Sequence, residues 1–498
     1  MSVVISTAAQ AGNIYIAQTA QGTGAGSSCT NAKAVTWFNT AANWGSGSSQ
    51  IGPGTTVNLC GTISSSLTVS GSGTSGNPIT ILFGANAQLS APLWTSGAIQ
   101  ASNVSYIILD GGSNGLIQAT NSGTNLQQTG SGGIVFTNVS NSEIRNLTIN
   151  NMYVRTSTAG EDGGGVGIYL DGGGNNSIHN NSISEVENGI MQVYRTATSN
   201  VMIYNNYVYH TNWGIAVGEG DVNCSANNIQ IYSNEIGDQN VWDDPADNYH
   251  HDGIFVYAVY GSDQVTNLKV YSNYIHGNMG NNSTALIYTS VSNVINPQYY
   301  NNVLVATSGI TNAMITVTTG SGGEIVNNTC VDASNSGSGG TNTCIYFGSG
   351  SGGQVENNIA YNCRVSLALV QPVSASTYTS NYNLFYNANQ AQSGLQMAQI
   401  DANSGSFYFS SFAQWQSSTG FDKNSITTNP QLVNPSGANY HLQSTSPAIG
   451  AGVNLSSYFS TDKDGNPRPS TGAWDIGAYK YVSPTSLAPS APQNLRNQ

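Results

Sequence analysis

Five of the six histidines, His179, His210, His250, His251 and His276, fall between residues 161 and 276, and so do 14 of the 24 acidic residues. That window is under a quarter of the 498-residue chain. Imidazoles beside carboxyls are the groups that move protons near neutral pH. A scaffold built only for stability has no reason to collect them in one place. The densest stretch holds Asp243, Asp244, Asp247, His250, His251 and Asp252. Carboxyls so grouped can share the work of breaking a glycosidic bond, one protonating the leaving oxygen and another activating water. His251 beside Asp252 reads as an acid–base unit. Asp243, Asp244 and Asp247 could together hold Ca2+, which takes six or more oxygen ligands, although Asp244 before Pro245 also suits a turn. A zinc pair from His250 and His251 is disfavoured, because adjacent residues in a strand point opposite ways. No cofactor is otherwise required.

The elements that must position these groups are repeats. A short β run, an Asn-Asn or Ser-Asn pair and an apolar residue recur in SIHNNSIS (177–184), MIYNNYVY (202–209), QIYSNEIG (230–237), KVYSNYIH (269–276) and QVENNIAY (354–361). A second β run follows each, as in NGIMQV (188–193), WGIAVG (213–218), DGIFVY (252–257) and TALIYT (284–289). The repeat is mostly about 25 to 30 residues long and stretches to about 39 where the Asp-rich insertion falls. Short strands with no helix between them cannot bury an apolar face alone, but stacked coils can. A fixed Asn at each turn then forms a ladder of side-chain amides from coil to coil. This predicts an all-β chain, a single-stranded right-handed parallel β-helix with an N-terminal cap and a C-terminal closing segment. Residues 100–386, by their Asn-Asn turns with an apolar residue two positions on, resemble the pectate-lyase-like superfamily. The resemblance implies the fold and no particular activity.

Aligning the coils on the Ile of each Gly-Ile strand sorts the candidates. Two positions before it stand Asn188, Trp213 and Asp252; three before stand Glu187, Asn212 and His251. The entering loops add Arg155, Glu161 and Asp162 on one coil, and Asp243, Asp244, Asp247 and His250 on another. Glu185, His210 and Asp238 share a turn position. Coils are about 4.8 Å apart, so Glu187 and Asp252, two coils apart, would stand about 10 Å apart along the axis, near the upper limit for an inverting pair of carboxyls. Trp213 is either a sugar-stacking platform or packing under the insertion. A second column, Asp171, Arg195, Glu219, Asp221 and Tyr257, lies about six residues further along the strands, roughly 20 Å away, and reads as distal subsites or structural pairs.

Domain organisation follows the repeat. Residues 1–100 read as cap and first coils, 101–386 as the helix core, 387–481 as last coils and closing segment, and 482–498 as a linker toward a further module. Around Phe409, Phe412 and Trp415 the spacing predicts one short helix. Residues 429–481, with SPAIGAG, DGNPRP and DIGAY, resemble the closing segment of secreted bacterial β-helix proteins. Six cysteines without a CxxC fit an extracellular protein. Cys29–Cys60 is a plausible bridge, and one pair among Cys330, Cys344 and Cys363 is another; buried free thiols are the alternative. Met1-Ser2-Val3 lacks the basic start of a signal peptide, as expected of a mature secreted chain.

A net charge of −13 and a pI near 4.6 argue against nucleic acid or an anionic membrane as partner. No apolar run reaches the roughly 18 residues of a membrane span. The first functional expectation is a monomeric, secreted glycoside hydrolase acting on a polysaccharide. The second is a polysaccharide lyase or epimerase acting on uronates with Ca2+, Arg155, Arg195, Lys269 or His251, although the Arg signatures of such lyases and the Asp and Gly-His-Gly signatures of polygalacturonases are absent. The third is a non-catalytic glycan-binding or adhesive module, which would not call for titrating groups.

Overall fold

The computed structural model describes residues 12–121, 131–152, 165–218, 223–239, 250–280, 283–291, 293–307, 312–318, 320–334, 342–348, 353–370, 377–388, 396–402, 405–409 and 411–483. Its strands form two long sheets, of 26 and 13 strands, and one antiparallel ribbon. The two long sheets are parallel, apart from the last strand of the 13-stranded sheet, Gly405–Phe409, which runs antiparallel. This is the parallel β-helix that the repeat predicts. Among the described residues no helix is long and apolar enough to cross a membrane.

Five neighbouring strands of the 13-stranded sheet concern the site: β1 (Val166–Asp171), β2 (Asn188–Val193), β3 (Trp213–Gly218), β4 (His251–Tyr257) and β5 (Ser283–Ser290). Their register sets Ile168, Ile190, Ile215, Ile254 and Ile287 in one fully buried column. The glycine before each of the first four has a steric cause. A Cβ on Gly189 would lie 2.4 Å from the Gly214 carbonyl oxygen, and one on Gly214 would lie 2.5 Å from that of Gly253. The coils close up tightly there, and only glycine fits.

On the other sheet the second Asn of each turn forms the expected ladder. Nδ2 of Asn181, Asn206, Asn234, Asn273, Asn302, Asn328 and Asn358 each donates to Oδ1 of the next, at 2.9–3.1 Å, ending on Asn383. Asn383 in turn donates to Asp422 Oδ1 at 3.0 Å. The residue before each ladder Asn turns the chain with positive φ, as at Asn205 (52°) and Ser233 (54°). Asn tolerates that region better than most residues, which accounts for the doubled Asn.

The helix expected near Phe409–Trp415 spans Phe412–Thr419, and Phe409 instead ends the antiparallel strand. The strand before it, Gln396–Ala402, still pairs in parallel with Val365–Val370, so the repeat extends past 386. Disulfides join Cys29 to Cys60 and Cys330 to Cys344; Cys224 and Cys363 are buried thiols. The C-terminal segment lies along the side of the coils. Its Leu432, Tyr440, Leu442 and Ile476 bury Val303, Val331, Ile359 and Leu384.

Candidate functional site

At the mouth of β4 a carboxylate and an imidazole meet. Asp252 Oδ2 lies 2.5 Å from His250 Nδ1. The Asp252 side chain has no exposed surface, while that of His250 is 38% exposed. The other carboxylate oxygen accepts the Ala285 backbone N–H at 3.0 Å. That donor is available because β5 carries one extra residue: His251 pairs with Ser283 but Asp252 with Ala285. Such a bulge takes a backbone group out of the ladder and re-aims it. Gln239, fully buried, donates from Nε2 to the Asp252 carbonyl at 2.9 Å and to Thr211 Oγ1 at 3.3 Å.

The electrostatics follow from burial. Desolvation pushes the Asp252 carboxyl up, against the hydrogen bonds from His250 and Ala285. For His250, burial pulls the imidazole down, but the hydrogen bond and charge of Asp252 outweigh it and leave the ring above its ordinary value. The two groups share a short hydrogen bond between Asp252 Oδ2 and His250 Nδ1, at 2.5 Å.

Aromatic rings wall this pair. Trp213 lies 5.7 Å from His250, 5.0 Å from Phe255 and 5.7 Å from Tyr257, centroid to centroid, and its Nε1 donates to the His250 carbonyl at 2.9 Å. Phe255 meets His250 edge-on at 4.9 Å and stacks on Tyr288 at 5.3 Å. Burial and the nearby Asp252 charge raise the Tyr288 phenol.

The expected columns are real: Asn188, Trp213 and Asp252 pair across β2, β3 and β4. Three expectations need correction. First, the imidazole hydrogen-bonded to Asp252 is that of His250, and His251 acts on Asp252 only through its charge. His251 is fully buried with Nδ1 at 3.0 Å from the Met279 carbonyl oxygen, while His250, two residues from Asp252, takes its place. Residues two apart share a face, and adjacent ones do not. Second, the Asp252 side chain has no exposed surface, and its two carboxylate oxygens meet His250 Nδ1 and the Ala285 N–H. Third, Tyr257 is not distal, because its ring lies 5.7 Å from that of Trp213, centroid to centroid.

The remaining candidates divide. Glu187 is half-buried, and its carbonyl accepts Asn212 N at 2.7 Å and Trp213 N at 3.2 Å, which ties it to the coil of Trp213. His210 is paired with Glu185 in the preceding turn and is not at the dyad. Arg195 pairs with Asp171 at 2.8 Å beyond the other end of the strands. Arg155, Glu161, Asp162, Glu219, Asp221, Asp243, Asp244 and Asp247 lie outside the described residues, and the calcium expectation lies there with them. Among the described residues no group of three or more His, Cys, Asp or Glu could hold a metal ion. Sequence reasoning missed Phe255, Tyr288 and Gln239 as site residues. Phe255 and Tyr288 share one register column, directly after the Ile, and extending the alignment by one position would have found them.

No protein-family model and no curated protein matches the chain. Among solved structures it is similar to XylC in complex with xylose, at 10% identity and a TM-score of 0.51, over 94% of this chain and 98% of that one. It is also similar to the pectate lyase Pel9A, at 14% identity and 0.47, over 95% and 96%. A third is the GH136 lacto-N-biosidase of Eubacterium ramulus, at 13% and 0.47, over 79% and 67%. What the chain shares with these structures is its fold, the parallel β-helix of the coils described above.

Proposed function

We propose that this chain is a secreted, monomeric polysaccharide-degrading enzyme, a glycoside hydrolase that works in a groove on the side of the β-helix. One observation carries the reading: a fully buried carboxylate holds Nδ1 of a solvent-facing imidazole inside a wall of aromatic rings. His250, kept protonated by Asp252, gives its proton to the leaving glycosidic oxygen. Glu187, two coils away, is the carboxylate that activates water or meets the developing positive charge on the sugar ring. Rings suit the C–H faces of sugars, and the two disulfides suit an oxidising, extracellular setting. The carbohydrate names of the fold neighbours agree with this reading.

The test is a panel of neutral and uronate polysaccharides, read for new reducing ends and for the ultraviolet absorbance of unsaturated uronates. Reducing ends without absorbance, lost in His250→Asn, support hydrolysis. Absorbance would make the chain a lyase, with His250 as base. Retention on a glycan without cleavage would make it a binding module.

A further inference from the structure

Two side chains at the mouth of β4 hold main-chain carbonyls there. Trp213 Nε1 donates to the His250 carbonyl at 2.9 Å, and Gln239 Nε2 donates to the Asp252 carbonyl at 2.9 Å. The Asp252 N–H adds a third tie, to the Asn212 carbonyl at 3.3 Å. His250 stands one residue before the strand begins at His251, so the ladder of β4 does not by itself hold it. Its carbonyl needs a donor from elsewhere, and Trp213 supplies one. The two residues whose side chains share the 2.5 Å hydrogen bond are thus each held at the main chain by a side chain from outside β4.

Gln239 is a costly residue for its place. It is fully buried, Thr211 Oγ1 at 3.3 Å is the second acceptor of its Nε2, and its Oε1 meets no donor among the described residues. Hydrogen bonds from one end of a buried amide offset its desolvation only in part. A side chain kept for packing alone would be apolar. We infer that Trp213 and Gln239 are positioning residues, which fix the backbone of residues 250–252 so that the His250 imidazole meets the buried Asp252 carboxylate. A short hydrogen bond tolerates little change in the distance between its heavy atoms, so a small shift at either carbonyl lengthens it. The effect on rate rests on His250 as the acid of the proposed reaction; the effect on geometry does not.

The test uses the full chain with isotope-labelled histidine, read by NMR. The His250 Nδ1–H resonance, identified by its loss in His250→Asn, reports the bond to Asp252. Trp213→Phe keeps a ring and removes the N–H, and Gln239→Met keeps the volume and removes the amide. Each should move that resonance upfield and broaden it. Gln192→Met, a like change of another fully buried glutamine near the far end of β2, should leave it in place. Thermal melts check that each variant is folded. On a polysaccharide that the unmodified chain cleaves, kcat should fall about tenfold in Trp213→Phe and in Gln239→Met, with KM nearly unchanged. The inference is overturned if folded Trp213→Phe and Gln239→Met proteins keep the resonance, or if Gln192→Met moves it as far. A displaced resonance in the two variants, with no polysaccharide cleaved by the unmodified chain, would support the positioning role and sink the hydrolase reading alone.

Discussion

A carboxylate with no exposed surface keeps its charge only if fixed donors replace water. Asp252 has two, His250 Nδ1 and the Ala285 N–H. The consequence for His250 can be measured. An acid whose pKa is raised stays protonated to higher pH, so kcat/KM should fall as pH rises through the elevated His250 value. In Asp252→Asn the charge that raises it is gone. That limb should then move to lower pH, and the rate should drop by about 10²–10⁴ as the ring loses its proton and its orientation. A pH–rate profile checks both, and a limb that stays in place in Asp252→Asn would remove Asp252 from the mechanism. His251→Gln should leave the limb where it is. At this scale the sequence was only half legible. The clustering of His and Asp marked the coil that carries the His250–Asp252 pair, and register marked Asp252. The choice between His250 and His251 turned on which neighbour shares a face with Asp252 at a strand mouth, and on an extra residue in β5 that no local pattern in β4 announces.

Among elements, the chain is most readable where every coil must solve the same problem. Each turn needs a residue that bonds its neighbours above and below, so the same Asn returns. Asn234 shows what one rung does: it accepts from Asn206 N and Nδ2 and donates to Ile203 O and Asn273 Oδ1. Asn234→Leu would orphan donors and acceptors in a dry turn, costing about 3 kcal/mol or more, read as a lowered melting temperature. A second ladder escaped notice. His179, Tyr204, Tyr232, Tyr271, Tyr300 and Phe459 stack in one file, 4.5–4.9 Å apart and within 13° of parallel. The tyrosines were visible in the repeats, but the end ring comes from the closing segment, 159 residues beyond Tyr300 in sequence. Tyr232→Ala breaks two ring contacts and should cost about 1–3 kcal/mol. Tyr232→Phe should cost little. Equal losses in the two variants would show that the phenol, not the stack, matters.

At the scale of the molecule, the closing segment joins distant parts of the helix and carries a pH dependence with it. Val453 N donates to Asn357 Oδ1 at 2.9 Å, the Tyr458 hydroxyl donates to Gln354 Oε1 at 2.9 Å, and Phe459 caps the ring file on Tyr300. Beneath it Glu356 is 6% exposed, and its Oε2 accepts Gln354 Nε2 at 3.1 Å. Burial, with the nearby Asp422 charge, pushes the Glu356 carboxyl up to about 7. Glu324, one coil away, is raised by burial as well. A carboxyl raised on folding holds a proton that the unfolded chain has released, so its stabilising share is complete below about 4.5 and fades as pH rises through 7. His250, also raised, acts in the same direction. Asp110 and Asp464, held low despite burial, by Asn146, Gly112 and Arg145 and by His441 and Lys463 respectively, lose their share only in acid and do not touch this range. Melting temperature should therefore decline from about pH 5 to about pH 8. Glu356→Gln cannot ionise and should flatten the decline, gaining of order 2 kcal/mol over the unmodified chain at the alkaline end. Glu324→Gln should do the same more weakly. If the decline has the same slope with Gln at 356, the charge beneath the closing segment is not what loosens it.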